Sequence, residues 1–439
     1  MITPIIDFLH SYEKNISLRL HMPGHKGKFW IHPLAECHLM DITEVKGADS
    51  LYEAEGIIAE SERNAAEVFS VKHTFYSAGG STLGIQTMLS AVVGENGKIV
   101  AARNAHRAFV NTCALIDADV IWVTGENADV ISSSVTPSDI EKALSEEKDV
   151  SAVYITSPDY YGRIADIKGI SEVCKKYNVP LIVDNAHGSH LAFLDENQHP
   201  ITLGADICCD SAHKTLPVLT GGAYIHTTSD EYASLIKEKQ SLYGSSSPSY
   251  LILASLDCCN WTLSESGKKL MQMQSENMRK LKSRLSPAWS FIGDDVLHLT
   301  VEAYKAGLSG NDLAERLREN GIECEYSDEY YTTFLFSLMD DEEDYNALAE
   351  AMEKIIQPKI LIRKDETPFI LPEKAMSIRK ATFSESEKVA VDDAEGRICA
   401  HNITHCPPCI PIVVAGEVID KNSVNILKRY SISEINVVK

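Results

Sequence analysis

The sequence of 439 residues contains no uninterrupted apolar run long enough to cross a bilayer. An ordinary spanning helix takes about 20 such residues, so a membrane-spanning protein of that kind is excluded. The opening stretch MITPIIDFLH has no basic segment and carries Asp7 inside its short apolar run. A secretory leader is therefore not expected, and the default location is the cytoplasm. Basic residues are in deficit. Lys and Arg number 41 against 63 Asp and Glu, for a formal net charge of -22. That balance argues against nucleic acid or an anionic membrane as partner, and is compatible with a cationic substrate. Repeats and low-complexity tracts are absent. The 11 cysteines are odd in number and accompany no export signal, which speaks against a disulfide framework. Cys406 and Cys409 have redox or metal spacing. No second CxxC or HxxxH stands at zinc distance, so no metal is expected. Cys208, Cys209, Cys258 and Cys259 lie in apolar or mixed runs and are expected in the core.

Between residues 70 and 226 the chain alternates two patterns. Short apolar runs predict strands at 73–78, 98–103, 119–124, 151–156, 180–185, 205–210 and 222–227. Segments of helical spacing lie between most of them, at 81–93, 136–147 and 167–178. The strand runs are continuous rather than alternating, as in strands buried on both faces. The expected fold is α/β: a mostly parallel seven-stranded sheet with helices on both faces. A smaller C-terminal α/β domain is expected after it, with strands at 297–304, 322–327 and 331–338 and helices at 311–320 and 342–356. Pro358, Pro368 and Pro372 lead into a less regular final section. The expected division is an N-terminal segment over 1–40, a large domain over 41–290 and a small domain over 291–439.

Three strand ends carry chemistry. Lys214, in Ser211-Ala212-His213-Lys214, follows a strand and precedes Gly221-Gly222. A lysine there can form an imine with an aldehyde cofactor once deprotonated, which partial burial favours. A plain surface lysine is the alternative. Asp184 ends the strand one unit upstream, where a carboxylate can keep a pyridine nitrogen protonated. Its alternative is a loop cap. Gly79-Gly80-Ser81-Thr82 joins a strand to a helix. Glycines, helix amides and hydroxyls together make a phosphate cup, or simply a turn. The three in this order, at the edge where such sheets bind ligands, are far more specific than any one alone. His106 can stack on a cofactor ring or cap the next helix. His187 and His190 are expected to line the same cavity as Asp184.

These motifs resemble the ornithine/lysine/arginine decarboxylases of the aspartate-aminotransferase-like fold, fold type I. The resemblance runs through LRLHMPGHKG (18–27), DITEVKGADSLYEAEGIIAESE (41–62), YSAGGSTLG (76–84), ARNAHRAF (102–109) and VDNAHGSH (183–190). It continues in SAHKTLPVLTGGA (211–223), SSSPSYLILASLD (245–257), RKATFS (379–384) and the tail at 395–419. It implies pyridoxal 5'-phosphate as a Schiff base on Lys214, with Asp184 on the ring nitrogen, Ala186 under the ring and His106 stacked on it. Ser81, Thr82, Ser211 and His213 fall at its phosphate and lysine-flanking positions, and Gly80 and His187 are expected among the cofactor-binding residues. Ser246 matches a phosphate contact given by the neighbouring subunit, which implies a homodimer with shared sites. The resemblance is to the compact form of the family, without the N-terminal wing domain of the large inducible forms. It departs at Gly79-Gly80, at Ser377-Ile378-Arg379 and at His405-Cys406-Pro407-Pro408-Cys409, the last near the family's substrate end.

The implied activity is α-decarboxylation of lysine, ornithine or arginine to the corresponding di- or polyamine. His213 or Lys214 would return the proton. Glu44, Asp49, Glu53 and Glu417 are candidates for the substrate's side-chain cation. Rival readings are another fold-type-I reaction, an aminotransferase or lyase with Arg379 as carboxylate ligand, and a cofactor-free regulatory homologue.

Overall fold

A computed structural model describes residues 1–15, 19–23, 25–26, 37–126, 128–356, 369–404 and 409–439. The chain divides into two compact units. The first comprises Met1–Ala91, Asp184–Met273 and Ser337–Met339. The second comprises Val92–Val183, Gln274–Phe336 and Asp340–Lys439.

All seven expected sheet strands form: β1 (His73–Ser77), β2 (Lys98–Ala102), β3 (Asp119–Val123), β4 (Val150–Thr156), β5 (Leu181–Asp184), β6 (Ile207–Asp210) and β7 (Ala223–Thr227). Their order is β1-β7-β6-β5-β4-β2-β3. β2 runs parallel to β3 and β4, whereas β7 is antiparallel to both β1 and β6. Every residue of β5, β6 and β7 is buried, which is the physical reason their sequences are continuous apolar runs.

In the first unit, α1 (Pro4–Asn15), α2 (Ile57–Phe69) and α3 (Gly80–Val92) precede or follow β1. The second unit holds α4 (Arg107–Ile116), α5 (Pro137–Glu146) and α6 (Ile167–Tyr177). Local chemistry starts and stops these helices. Thr136 and Asp139 form a reciprocal capping box on α5, with Pro137 in its first turn. Asn178 ends α6 in the left-handed conformation. Further along lie the short α7 (Ala212–Thr215), α8 (Asp230–Ser241) and the 36-residue α9 (Tyr250–Leu285). Among the described residues no helix is long and apolar enough to cross a membrane.

The second unit also carries a four-stranded sheet of order β10-β11-β9-β8. Its strands are β8 (Phe291–Ile292), β9 (His298–Glu302), β10 (Tyr326–Ser327) and β11 (Tyr331–Leu335), with α10 (Gly310–Arg318) and α11 (Glu342–Lys354). The strand expected over 322–327 is confined to its last two residues. The reason is the end of α10: Gly321 takes φ +77 and Ile322 N–H turns back to Leu317 O at 3.0 Å, so the run first closes the helix.

Candidate active site

The sheet strands β1, β5 and β6 end in polar residues, Ser77, Asp184 and Asp210. Asp184 closes β5 with 1% exposure. One of its oxygens accepts the Ala186 N–H at 3.1 Å. Asn185 and Gly188 close the following turn, Gly188 N–H donating to Asn185 O at 2.8 Å, and this turn carries His187.

Lys214 lies in α7, just past the end of β6. It is half-buried, and its Nζ sits 2.8 Å from His187 Nε2. Asp184 and Lys214 act together on the buried Cys209 thiol, whose pKa burial raises first; Asp184 adds to that rise and Lys214 opposes it. Asp184 and His187, which share one segment, and Lys214, which lies on another, thus share one neighbourhood. Ala186 is buried beside them, and Ser211 is fully buried at the start of α7.

His213 is half-buried, with Nδ1 3.1 Å from Gly222 O and 3.4 Å from Ser211 Oγ. A carbonyl only accepts, so this contact assigns the proton to Nδ1 and leaves Nε2 as the acceptor. Burial lowers the His213 pKa and nearby Lys214 lowers it further, against the Gly222 hydrogen bond.

The cup lies between β1 and α3. Gly80 takes φ +66, with open space where a Cβ would stand, so the backbone angle and not crowding demands glycine. Its N–H donates to Gly221 O at 2.7 Å, and Ser77 Oγ donates to Gly80 O at 2.9 Å. Ser81 is half-buried and Thr82 exposed. Gly79 and Thr82 line a cavity of about 220 Å³ together with Tyr52, Tyr243 and Ser245 of the same chain. Ser246, the next residue, is exposed. Neither tyrosine was singled out from sequence, although Tyr52 lies within 41–62 and Tyr243 stands two residues before 245–257.

His106 belongs to the second unit, after β2. It caps α4, Nδ1 accepting the Ala108 N–H at 3.1 Å. Arg379, in the short helix α12 (Ile378–Thr382), donates from Nη1 to Ala114 O and Leu115 O at the end of α4, so it is engaged by a helix C-terminus. Two of the four acidic candidates are likewise occupied. Asp49 accepts the backbone N–H groups of Ser50, Glu55, Gly56 and Ile58. Burial opposes its ionisation, but those amides outweigh it and hold its carboxyl below the usual range. Glu417 is buried against Arg103 at 3.3 Å. Glu44 and Glu53 are exposed. Residues 405–408, Leu18, Gly24 and Gly27 lie outside the described residues. Cys409 is buried, its carbonyl accepting the Arg107 N–H at 2.9 Å.

Sequence reasoning missed Asp210. It ends β6 four residues before Lys214, as Asp184 ends β5, and is fully buried with Asn185, His199 and His226 around it. Its place at a strand end was the available signal.

The residues fit a phosphorylated aldehyde cofactor. An amine lies beside an imidazole, a buried carboxylate closes the neighbouring strand, and a cavity opens beside a glycine turn with two hydroxyls at a helix N-terminus.

Comparison with known proteins points the same way. The family described as Orn/Lys/Arg decarboxylase, major domain, matches residues 3–298, and its C-terminal domain matches residues 357–434. An arginine decarboxylase of Bacillus subtilis is 30% identical over 456 residues, covering 96% of this chain and 92% of that protein. One of Halalkalibacterium halodurans is 29% identical over 450 residues, with the same coverage of 96% and 92%. Among solved structures, the lysine decarboxylase of Francisella novicida superposes with TM-score 0.84 at 17% identity, covering 100% of this chain and 81% of its own. The constitutive lysine decarboxylase of E. coli does so with TM-score 0.82 at 18% identity, covering 100% and 82%. At these identities the two structures speak to the fold.

Proposed function

The chain belongs to the Orn/Lys/Arg decarboxylase family, and on that premise we propose that it removes the α-carboxylate of arginine, lysine or ornithine to leave a di- or polyamine. Arginine is the first to try, because relatives at 29–30% identity are arginine decarboxylases. The observation that carries the reading is the Lys214 Nζ to His187 Nε2 contact of 2.8 Å on the strand end beside buried Asp184.

Pyridoxal 5'-phosphate, when bound, supplies the electron sink for the pair left behind by departing carbon dioxide. The rest is work for this chain's residues. Lys214 must shed a proton before its amine can hold the aldehyde, and His187 Nε2 is in position to accept it. Asp184, ionised and shielded from water, would keep the ring nitrogen protonated. Gly80, Ser81 and Thr82 would hold the phosphate at the start of α3. His106 would lie on the ring while its Nδ1 stays on the helix cap. His213 with Nδ1–H on Gly222 presents an unprotonated Nε2, and its lowered pKa keeps it so. It orients and accepts, which leaves Lys214 to return the proton to Cα.

We further propose that a large cofactor domain spans residues 41–290 and a small domain 291–439, and that the working unit is a homodimer in which Ser246 reaches the partner's phosphate. Mixing Lys214→Ala chains with Ser246→Ala chains should restore part of the lost activity if sites are shared.

The deciding experiment incubates purified protein and cofactor with each basic amino acid and identifies products by mass spectrometry. The expected products are carbon dioxide and one amine. A 2-oxo acid without carbon dioxide would replace this reading by transamination, for which Arg379, engaged on α4, is poorly placed.

A further inference from the structure

One buried carboxylate, not used in the chemistry above, joins the two strand ends that carry Asp184 and Lys214. β5 and β6 are neighbours in the sheet, and Asn185 N–H donates to Cys209 O at 3.0 Å. Asn185 then aims its side-chain amide at Asp210, Nδ2 2.7 Å from Oδ1. The other Asp210 oxygen faces His199 Nε2 at 3.1 Å and His226 Nε2 at 3.5 Å. His226 is held in turn by Thr74, Nδ1 2.9 Å from Oγ1. Asn185, Asp210, His199 and His226 are each 0% exposed.

A carboxylate in such a place is unfavourable unless donors surround it. Burial pushes its pKa up, but the two imidazoles outweigh burial and keep it ionised. An ionised, immobile acceptor fixes a side-chain amide better than a neutral one does. Asn185 is bonded directly to Asp184, and its carbonyl closes the turn that carries His187.

We propose that Asp210 is a positioning residue for the decarboxylation: through Asn185 it fixes the orientation of the neighbouring Asp184 carboxylate. This rests on Asp184 being the partner of the cofactor's ring nitrogen. The Asp210 effect therefore runs through Asp184 and registers in how tightly the cofactor is held. His199, Cys208 and Asp210 also bring ligand atoms within 4.8 Å of one another, a set that a transition metal accepts. The hydrogen bonds favour the network. Both Asp210 oxygens already face nitrogen donors, and the Cys208 sulphur stands 3.9 Å from His199 Nε2 and from Asp210 Oδ1.

The test is a double-mutant cycle on the holoenzyme. Pyridoxal phosphate affinity is measured by equilibrium dialysis, with the visible absorbance of the bound cofactor as second readout. Wild type, Asp184→Ala, Asp210→Asn and the double variant are compared. Asp210→Asn keeps the shape but turns an amide N–H₂ toward a donor. It should weaken cofactor binding roughly tenfold. In the Asp184→Ala background the same change should matter by less than about twofold. Equal losses in both backgrounds would mean that Asp210 only supports the fold, and would overturn the proposal. A defective Asp184→Ala beside a wild-type-like Asp210→Asn sinks the proposal alone. A wild-type-like Asp184→Ala sinks the reading of Asp184 and the proposal with it. Where Asp210→Asn does not fold, Asn185→Ala cuts the same link from the other side and completes the cycle. Elemental analysis finding about one transition-metal ion per chain, lost in Cys208→Ser, would overturn the network in favour of a metal centre.

Discussion

Two buried carboxylates, Asp210 in the first unit and Glu417 in the second, meet the same burden with opposite results. Asp210 has Asn185 on one oxygen and two imidazoles on the other, and its pKa falls. Glu417 has a full cation beside it, yet burial raises its pKa in spite of Arg103. Geometry explains the reversal. Arg103 divides its donors among Pro411 O, Ile412 O and Glu417, and the last contact is its longest at 3.3 Å. Val414 N–H serves the same Glu417 oxygen at 2.7 Å, while Oε1 has no hydrogen-bond partner among the described residues. At Asp210 the charge interaction and hydrogen bond of His199, joined by those of His226, outweigh burial, whereas at Glu417 the charge of Arg103 and the Val414 amide do not. The regions differ in access as well. Arg103 and Glu417 are sealed at 3% exposure each, whereas Lys214 and His213, near Asp210 in sequence, are half-buried. Access suits chemistry, and sealing suits architecture.

The sharpest way to break this contrast is Lys214→Ala. Decarboxylation should fall by roughly 10³-fold or more, ~4 kcal/mol of barrier, and the visible absorbance should vanish. The unfolding midpoint should barely move. Activity and spectrum retained at wild-type level would end the assignment. Glu417→Ala should behave in the opposite sense. It leaves Arg103 buried without its partner and should lower stability by about 3–5 kcal/mol in urea titration. Below the transition the cofactor absorbance should be unchanged. A variant that loses cofactor while staying stable would place Glu417 in the site after all.

A smaller effect separates the two carboxylates by pH. Glu417 has a raised folded pKa, so its contribution to stability is complete below the ordinary glutamate value of 4.5 and is lost as pH rises through the folded value. Asp210 has a depressed one. Its contribution is present above the ordinary aspartate value of 3.8 and is lost only as pH falls through the folded value. Relative to wild type, Glu417→Gln should therefore gain ground as pH rises above 4.5, whereas Asp210→Asn should lose ground as pH rises towards 3.8 and run parallel to wild type above it. Denaturant midpoints from about pH 2 to about pH 8 supply the check, and the same pH dependence in both variants would count against the contrast. The smallest expected change is in Asp49→Ala. It removes the acceptor for the amides of Gly56 and Ile58 at the start of α2 and should reduce stability by about 1 kcal/mol. A loss of substrate affinity without a loss of stability would return Asp49 to the list of cation partners.

The candidate site was legible where local pattern and chemistry coincide. Asp184 and Lys214 stand at the ends of buried runs, and such ends must face the sheet edge where ligands bind. For His106 the sequence left stacking and capping open, and the cap on Ala108 is present. The strand expected over 322–327 shrank because closing α10 used its first residues. Asp210 was quoted only as the end of a strand. Its partners Asn185, His199 and His226 stand on other segments on either side of it, and no period or motif links them.

By itself the sequence determined the α/β class, the seven strands and the segments proposed to carry the chemistry. Buried parallel strands must be continuously apolar, and glycine, aspartate and lysine in that order at successive strand ends are more specific than any one alone. Only the tertiary structure decided which charges are engaged elsewhere. Arg379 went to the end of α4, Asp49 to the start of α2 and Glu417 to Arg103. A side chain's composition states what it can bond, but its partners are chosen by which backbone ends and buried donors folding brings within reach, and for Arg379 and Glu417 those lie far along the chain.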